Sequence, residues 1–157
     1  MAIDVFLKLD GIKGESTQKG HEGEIELLSA NVGVSDRAPV PTGAVAAAGK
    51  VSFQDLHVTK TTDSASPQLF VACSSGKHIA TGTLTAVPTG GNGPHLTIDL
   101  TDVLVSSYDV NITQQTPSET ITFAYGSLKV SYQAQDSKGV LSPPVQGGWD
   151  VTKNKAV

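Results

Sequence analysis

Apolar residues recur at every second position in four stretches of the chain. In IDVFLKL, Ile3, Val5, Leu7 and Leu9 share one parity, opposed by Asp4, Lys8 and the larger Phe6. HLTIDLT sets Leu96, Ile98 and Leu100 against Thr97 and Asp99, and ITFAY puts Ile121, Phe123 and Tyr125 on one side. LKVSYQA alternates Leu128, Val130, Tyr132 and Ala134 with Lys129, Ser131 and Gln133. Successive side chains of a strand point to opposite sides of the sheet, so a period of two marks a strand with one buried face. Tyr125 and Leu128 flank Gly126-Ser127, which predicts a tight hairpin with Gly126 at positive φ.

Three further stretches change phase midway. In EIELLSANVGV, Ile25 and Leu27 give way to Leu28, Ala30, Val32 and Val34. In VSFQDLHV, Val51 and Phe53 give way to Leu56 and Val58; in DVLVSSYDVNI, Val103 and Val105 give way to Tyr108, Val110 and Ile112. A one-residue slip turns every later side chain over. Each shift therefore predicts a bulge, or a strand that leaves one sheet for another. Together they predict a strongly bent, barrel-like sheet in a mainly β protein.

One segment, 64–75, is expected to be helical. Pro67 suits a first turn, with Ser64 or Ser66 as the N-cap, and Leu69, Phe70 and Cys73 form one apolar face. Gly76 suits the left-handed residue that ends a helix. The longest gap, 35–50 (SDRAPVPTGAVAAAGK), reads as an extended loop whose small apolar run, Ala44–Ala48, is available to pack on another molecule.

Composition narrows the picture. The chain has 157 residues, which favours one domain, and charged residues are only 17% against the usual ~25%. Thr, Ser and Gly fill the difference, as strands and turns require. With 11 basic and 15 acidic side chains the net charge is −4, and the basic residues are scattered, so nucleic acid is not an expected partner. A single cysteine, Cys73, excludes an internal disulfide. MAIDVFLKLD carries neither a basic leader nor an apolar block, and no apolar run approaches the ~20 residues of a membrane span. Synthesis in the cytoplasm, without membrane insertion, is the expectation.

Candidate chemistry is thin. GAVAAAGKV approaches a phosphate-binding loop, but Ala44 stands where its first Gly belongs and Val51 where its hydroxyl belongs. His21, His57, His78 and His95 show no metal-ligand spacing. Cys73 sits near a helix C-terminus, where the dipole opposes a thiolate. Asn111-Ile112-Thr113 is a glycosylation sequon without a secretory leader. KGESTQKGHEGEIELLS (13–29) gathers Glu15, Glu22, Glu24, Glu26 and His21, but Gly11, Gly14, Gly20 and Gly23 break it into turns. Its polar groups are expected to bond local backbone, with Glu24 and Glu26 on a solvated face or an edge between subunits. No catalytic, cofactor or metal residues are assigned.

The same loop carries a likeness. FLKLDGIKGESTQKGHEGEIELLS (6–29) closely resembles the start of the haemolysin-coregulated (Hcp) proteins, the tube proteins of the bacterial type VI secretion system. The resemblance continues through GKVSFQDLHVTKTTDSASPQLFVACSSGKHI (49–79), LTIDLTDVLVSS (96–107) and GGWDVTKN (147–154), into a C-terminal segment at 147–157. It implies a two-sheet β-barrel with one short flanking α-helix. It implies a homohexameric ring whose copies stack into a tube inside a contractile sheath, capped by a trimeric spike. It also implies a lumen that carries small effector proteins, and export from the bacterial cytoplasm to the extracellular space or a target cell without a signal peptide. With eight residues after Trp149, no fused enzymatic extension is expected.

On that basis Ser29 and Asn31, on the polar parity of their strand, are expected to face the lumen and its cargo. Val45, Ala46, Ala47 and Ala48 are expected to form the ring-stacking contact. The competing reading is a small-ligand-binding β-barrel, which needs an apolar interior pocket.

Overall fold

A computed structural model describes residues 2–36, 51–90 and 94–157. The strands are β1 (Ile3–Leu9), β2 (Ile25–Leu27), β3 (Ser29–Asn31), β4 (Val34–Asp36), β5 (Val51–Phe53) and β6 (Leu56–Thr61). After the helix α1 (Ser66–Ser75) come β7 (His78–Pro88), β8 (His95–Asn111), β9 (Ser118–Ala124), β10 (Ser127–Gln133), β11 (Val145–Asp150) and β12 (Lys155–Ala156). Ten strands form one antiparallel sheet in the order β12-β11-β10-β8-β7-β1-β2, with β9, β6 and β3 continuing from β8. β4 and β5 make a separate two-stranded ribbon.

The protein is mainly β with one short helix, as the patterning predicts, and it has the two sheets that the resemblance implies, but they are unequal. The larger one wraps around the core without a single closed ladder of hydrogen bonds. Its path ends at β2, which pairs β1, while β3, one residue further along, pairs β6. Leu28 is the pivot, and its N–H donates to the Thr59 carbonyl at 2.8 Å. At the first phase shift the chain therefore changes partners within the one large sheet, instead of leaving one sheet for another. The second shift separates β5, paired with β4, from β6. The third is a bulge between Val105 and Ser107.

β8 organises the molecule. Its N-terminal half, His95–Thr101, pairs with β10, and its C-terminal half, Leu104–Asn111, pairs with β9. β9 and β10 are not partners of each other, so the hairpin expected at Gly126 is absent. The chain instead runs on along β8 and turns a corner there. Gly126 has no positive φ; what demands glycine is space, because a Cβ would lie 2.9 Å from the Cβ of Asp102. Asp102, at φ 50°, kinks β8 at the same corner, and the Gly126 N–H donates to the Thr101 carbonyl at 2.8 Å.

The core gathers the predicted parities: Leu7 and Leu9 from β1, Ile25 and Leu27, Leu56 and Val58, Ile98 and Leu100, Ile121 and Phe123. Phe6, on the other side of β1, is also buried, because the loop 13–24 folds over it and His21 stacks on its ring at 4.3 Å. That loop closes on itself as its glycines predict: Gly14 N–H to Gly23 carbonyl at 2.8 Å, Ser16 N–H to Glu24 carbonyl at 3.0 Å.

Helix α1 begins two residues later than predicted. Neither Ser64 nor Ser66 caps it; Ala65 holds that position, and Asp63 accepts the Ala65 N–H at 3.0 Å. Its buried face is Ser66, Leu69 and Ala72, whereas Phe70 is exposed and Cys73 half-buried. Gly76 ends it in the left-handed conformation (φ 66°) as expected. Of the loop expected at 35–50, Ser35 and Asp36 belong to β4. Val45, Ala46, Ala47 and Ala48 lie outside the described residues.

Candidate functional site

β3, β6, β9 and the C-terminal half of β8 lie side by side, and their registers fix what each face presents. Toward the interior, β6 points Leu56, Val58 and Lys60, and β9 points Glu119, Ile121 and Phe123. Away from it, the rows read Ser29–Thr59–Thr120–Asp109 and Asn31–His57–Thr122–Ser107, followed by Thr61–Ser118–Asn111.

The outward face is a sheet of short hydroxyl and amide side chains. Ser29 Oγ bonds Thr59 Oγ1 across the strands, Ser107 Oγ lies 2.6 Å from Thr122 Oγ1, and Ser106 Oγ bridges Thr122 Oγ1 and Asp55 Oδ2, each at 2.7 Å. Ser29 and Asn31, singled out from sequence parity, sit together here, both exposed. His57 lies between Asn31 and Thr122 in register.

The interior side of the same strands holds a cluster that sequence reasoning missed. Lys60 and Glu119 side chains have no solvent exposure and form an ion pair at 2.8 Å. Lys60 Nζ also reaches Asp63 at 2.8 Å, the Thr61 carbonyl at 3.0 Å and Ser66 Oγ at 3.0 Å. Glu119 accepts from Ser66 Oγ at 2.9 Å, Thr62 Oγ1 at 3.0 Å and the Tyr108 hydroxyl at 2.7 Å. Burial pushes the Glu119 carboxyl up, but donors from Lys60, Ser66 and Tyr108 outweigh it and hold the acid below its ordinary range. The Tyr108 phenol is pushed up to about 12 by burial and then by its bond to the Glu119 carboxylate. The signal was present in the sequence: Lys60 continues the parity of Leu56 and Val58, and Glu119 that of Ile121 and Phe123. A charge on a buried parity demands a partner.

The other candidates stay apart. His21 bonds Glu24 in the N-terminal loop, while His78 and His95 begin β7 and β8. No group of metal-ligating side chains occurs among the described residues. No described helix is long and apolar enough to cross a membrane. The apolar hollow between the β4–β5 ribbon and β10, lined by Val32, Phe53, Tyr125, Leu128 and Val130 among others, holds about 140 Å³. Small-molecule sites usually have at least ~300 Å³, so this apolar hollow is too small for one. Hollows of about 390, 540 and 600 Å³ lie elsewhere on the described residues. Their linings include charged side chains such as Lys77, Asp99 with Lys129, and Lys8 with Glu24, unlike the apolar interior pocket that the ligand-binding reading needs.

Among the exposed apolar side chains of the described residues, two groups lie at the ends of β8. At the N-terminal end of β8, Val130 (36% exposed), Tyr132 (45%) and Val145 (72%) share one face, with Tyr132 opposite Val145. At its C-terminal end, Phe70 (57%) meets Tyr108 edge-on, beside Val110 and Ile112 (75%).

Residues 6–132 match the sequence profile of a family described as "Type VI secretion system effector, Hcp". The chain is 38% identical to the protein hcp1 of Pseudomonas aeruginosa, over 98% of both chains. It is similar to the crystal structure of Hcp1 from Salmonella typhimurium, with a TM-score of 0.81 at 30% identity and complete coverage of both chains. A structure described as a type six secretion system protein superposes with a TM-score of 0.90 at 31% identity, covering 99% of this chain and 100% of that one.

Proposed function

Because the chain belongs to the Hcp family and is a tube protein of the type VI secretion system, we propose that it works by assembly: copies join into a homohexameric ring, and rings stack into the tube that sheath contraction expels. The observation that carries this reading is the pair of apolar patches at opposite ends of β8. They differ in residues and position, so the contact that covers both joins one patch to the other on the next copy. Such a head-to-tail contact closes into a ring when its rotation fits. Each patch removed from water contributes ~25 cal/mol per Å² of apolar surface.

In that ring the hydroxyl face carrying Ser29 and Asn31 lines the lumen and holds small effector proteins. The segment Val45–Ala48 supplies the ring-on-ring contact. A trimeric spike caps the tube and a contractile sheath surrounds it. The protein is made in the bacterial cytoplasm and leaves through the apparatus without inserting into a membrane.

Light scattering and negative-stain imaging of the purified protein test the assembly. Wild-type protein is expected as annular particles of sixfold mass. Val145→Asp is expected to run as a folded monomer, and paired Ala46→Asp and Ala47→Asp substitutions to leave rings that no longer stack. Wild-type protein that stays monomeric at high concentration would end the proposal.

A further inference from the structure

We propose that the hydroxyl face of β3, β6, β9 and the C-terminal half of β8 selects cargo proteins with a basic surface, an inference that rests on the reading of this face as the ring's lumen. Its charged side chains are acidic. Asp109 stands opposite Thr120 and is exposed, and Asp55 is held on the same side by the Ser106 hydroxyl at 2.7 Å, which in turn bonds Thr122. Ser29, Asn31, Thr59, Thr61, Ser118 and Thr120 are uncharged. Neither Lys nor Arg lies on this face among the described residues; Lys60, the one cation of β6, points inward and is sealed by Glu119. His57 is the one imidazole on the face.

The other outward surface of the sheet is built differently. There Lys8 on β1 and Lys129 on β10 alternate with Asp4 and Asp99, so both signs are interspersed. The acidic bias is therefore local and does not simply repeat the net charge. When a ring curves the first face into a channel wall, each subunit adds its two carboxylates to one enclosed space. Like charges on the low-dielectric wall of a concavity focus their field and concentrate counter-ions of opposite sign. The short hydroxyls and amides then give hydrogen bonds without shape-specific pockets, which suits several basic cargoes rather than one.

The experiment uses assembled rings at pH 8 and two probes, a cationic and an anionic supercharged version of one small globular domain, read by fluorescence polarisation. The cationic probe is expected to bind about tenfold or more tightly than the anionic one. Its binding should weaken about tenfold between roughly 50 and 300 mM salt. Paired Asp55→Asn and Asp109→Asn substitutions are expected to abolish the preference. Paired Asp4→Asn and Asp99→Asn substitutions remove the same net charge from the other surface and are expected to leave it. Equal binding of the two probes, or equal effects of the two variant pairs, overturns the inference. Asn31→Trp separates the two levels: if it blocks the probes while the Asp55/Asp109 pair changes nothing, the lumen reading stands and charge selection fails. If Asn31→Trp rings bind as the wild type does, the lumen reading itself fails.

Discussion

Thr59 and Lys60 are neighbours on β6, as Glu119 and Thr120 are on β9, yet each pair splits across the sheet. Lys60 and Glu119 meet inside, where the Glu119 carboxylate receives bonds from Lys60, Ser66, Thr62 and Tyr108. Thr59 and Thr120 meet outside, where Thr59 bonds Ser29 and solvent reaches the rest. A charge removed from water must find compensation on every side, so the inner cluster recruits partners from β6, α1, β8 and β9. Hydroxyls left in water need no such arrangement and remain free to bind something else. The inner face joins the helix to the barrel, and the outer face of the same strands is open to a partner.

The largest effect separating these faces should come from Glu119→Ala. It leaves the Lys60 ammonium buried with Asp63, at 2.8 Å, as its remaining counter-charge; breaking a buried pair from one side costs ~3–5 kcal/mol, and the loss here is expected toward the low end. Urea denaturation should show a lower midpoint with an unchanged slope. Replacing both partners, with Lys60→Met and Glu119→Leu, should recover roughly half of the loss, because both fully buried charges are then gone and Asp63, which loses its cation, keeps some contact with solvent. A double variant as unstable as Glu119→Ala would mean that the cluster acts through packing rather than charge.

The pH dependence of stability follows from the same cluster. The folded-state pKa of Glu119 is depressed, so its contribution is present above the unfolded carboxyl value of ~4.3 and is lost as pH falls through the folded value. Tyr108 is shifted the other way. Its contribution is full below the unfolded phenol value of ~10 and is lost as pH rises through the folded value of about 12. Thermal melts across pH should fall at both extremes. Tyr108→Phe should shrink the alkaline fall, leaving the part due to the Tyr125 phenol, which burial also pushes up, and cost about 1 kcal/mol at neutral pH, the usual worth of one hydrogen bond, or somewhat more for a charged acceptor. An alkaline fall undiminished in Tyr108→Phe would assign it to another group.

The strands themselves were legible because each rests on one local property, alternation. The phase shifts at Leu28, at Gln54-Asp55 and at Ser106 were legible for the same reason, since a slip in parity has few structural causes. Pairing was less so: Gly126-Ser127 has the composition of a hairpin turn, and only the corner shared with Asp102 shows that β9 and β10 follow one another along β8. Helix α1 was misread at its N-terminus because Ser66 spends its hydroxyl on Lys60 and Glu119, partners distant in sequence, as well as on Asp63. Ser29 and Asn31 were placed on one polar face by parity alone. The carboxylates of Asp55 and Asp109 join that face only through pairing that no local window contains.

The smallest effect on stability, and the sharpest test of the outer face, is expected from Asn31→Trp. Asn31 is exposed, lies at the edge of the hydroxyl grid opposite His57, and takes part in none of the inner cluster's bonds. A surface substitution of this kind typically changes stability by within about 0.5 kcal/mol. Its unfolding midpoint should therefore match the wild type's, while an indole projecting from each copy obstructs the face. Annular particles of unchanged mass, combined with lost retention of effector protein, would place binding on the outer side of β3 and β6 and folding on the inner side. Unchanged retention in intact rings would move the cargo contact elsewhere. A large drop in stability would show instead that the two faces are energetically coupled through β6, and the division drawn between Thr59 and Lys60 would not hold.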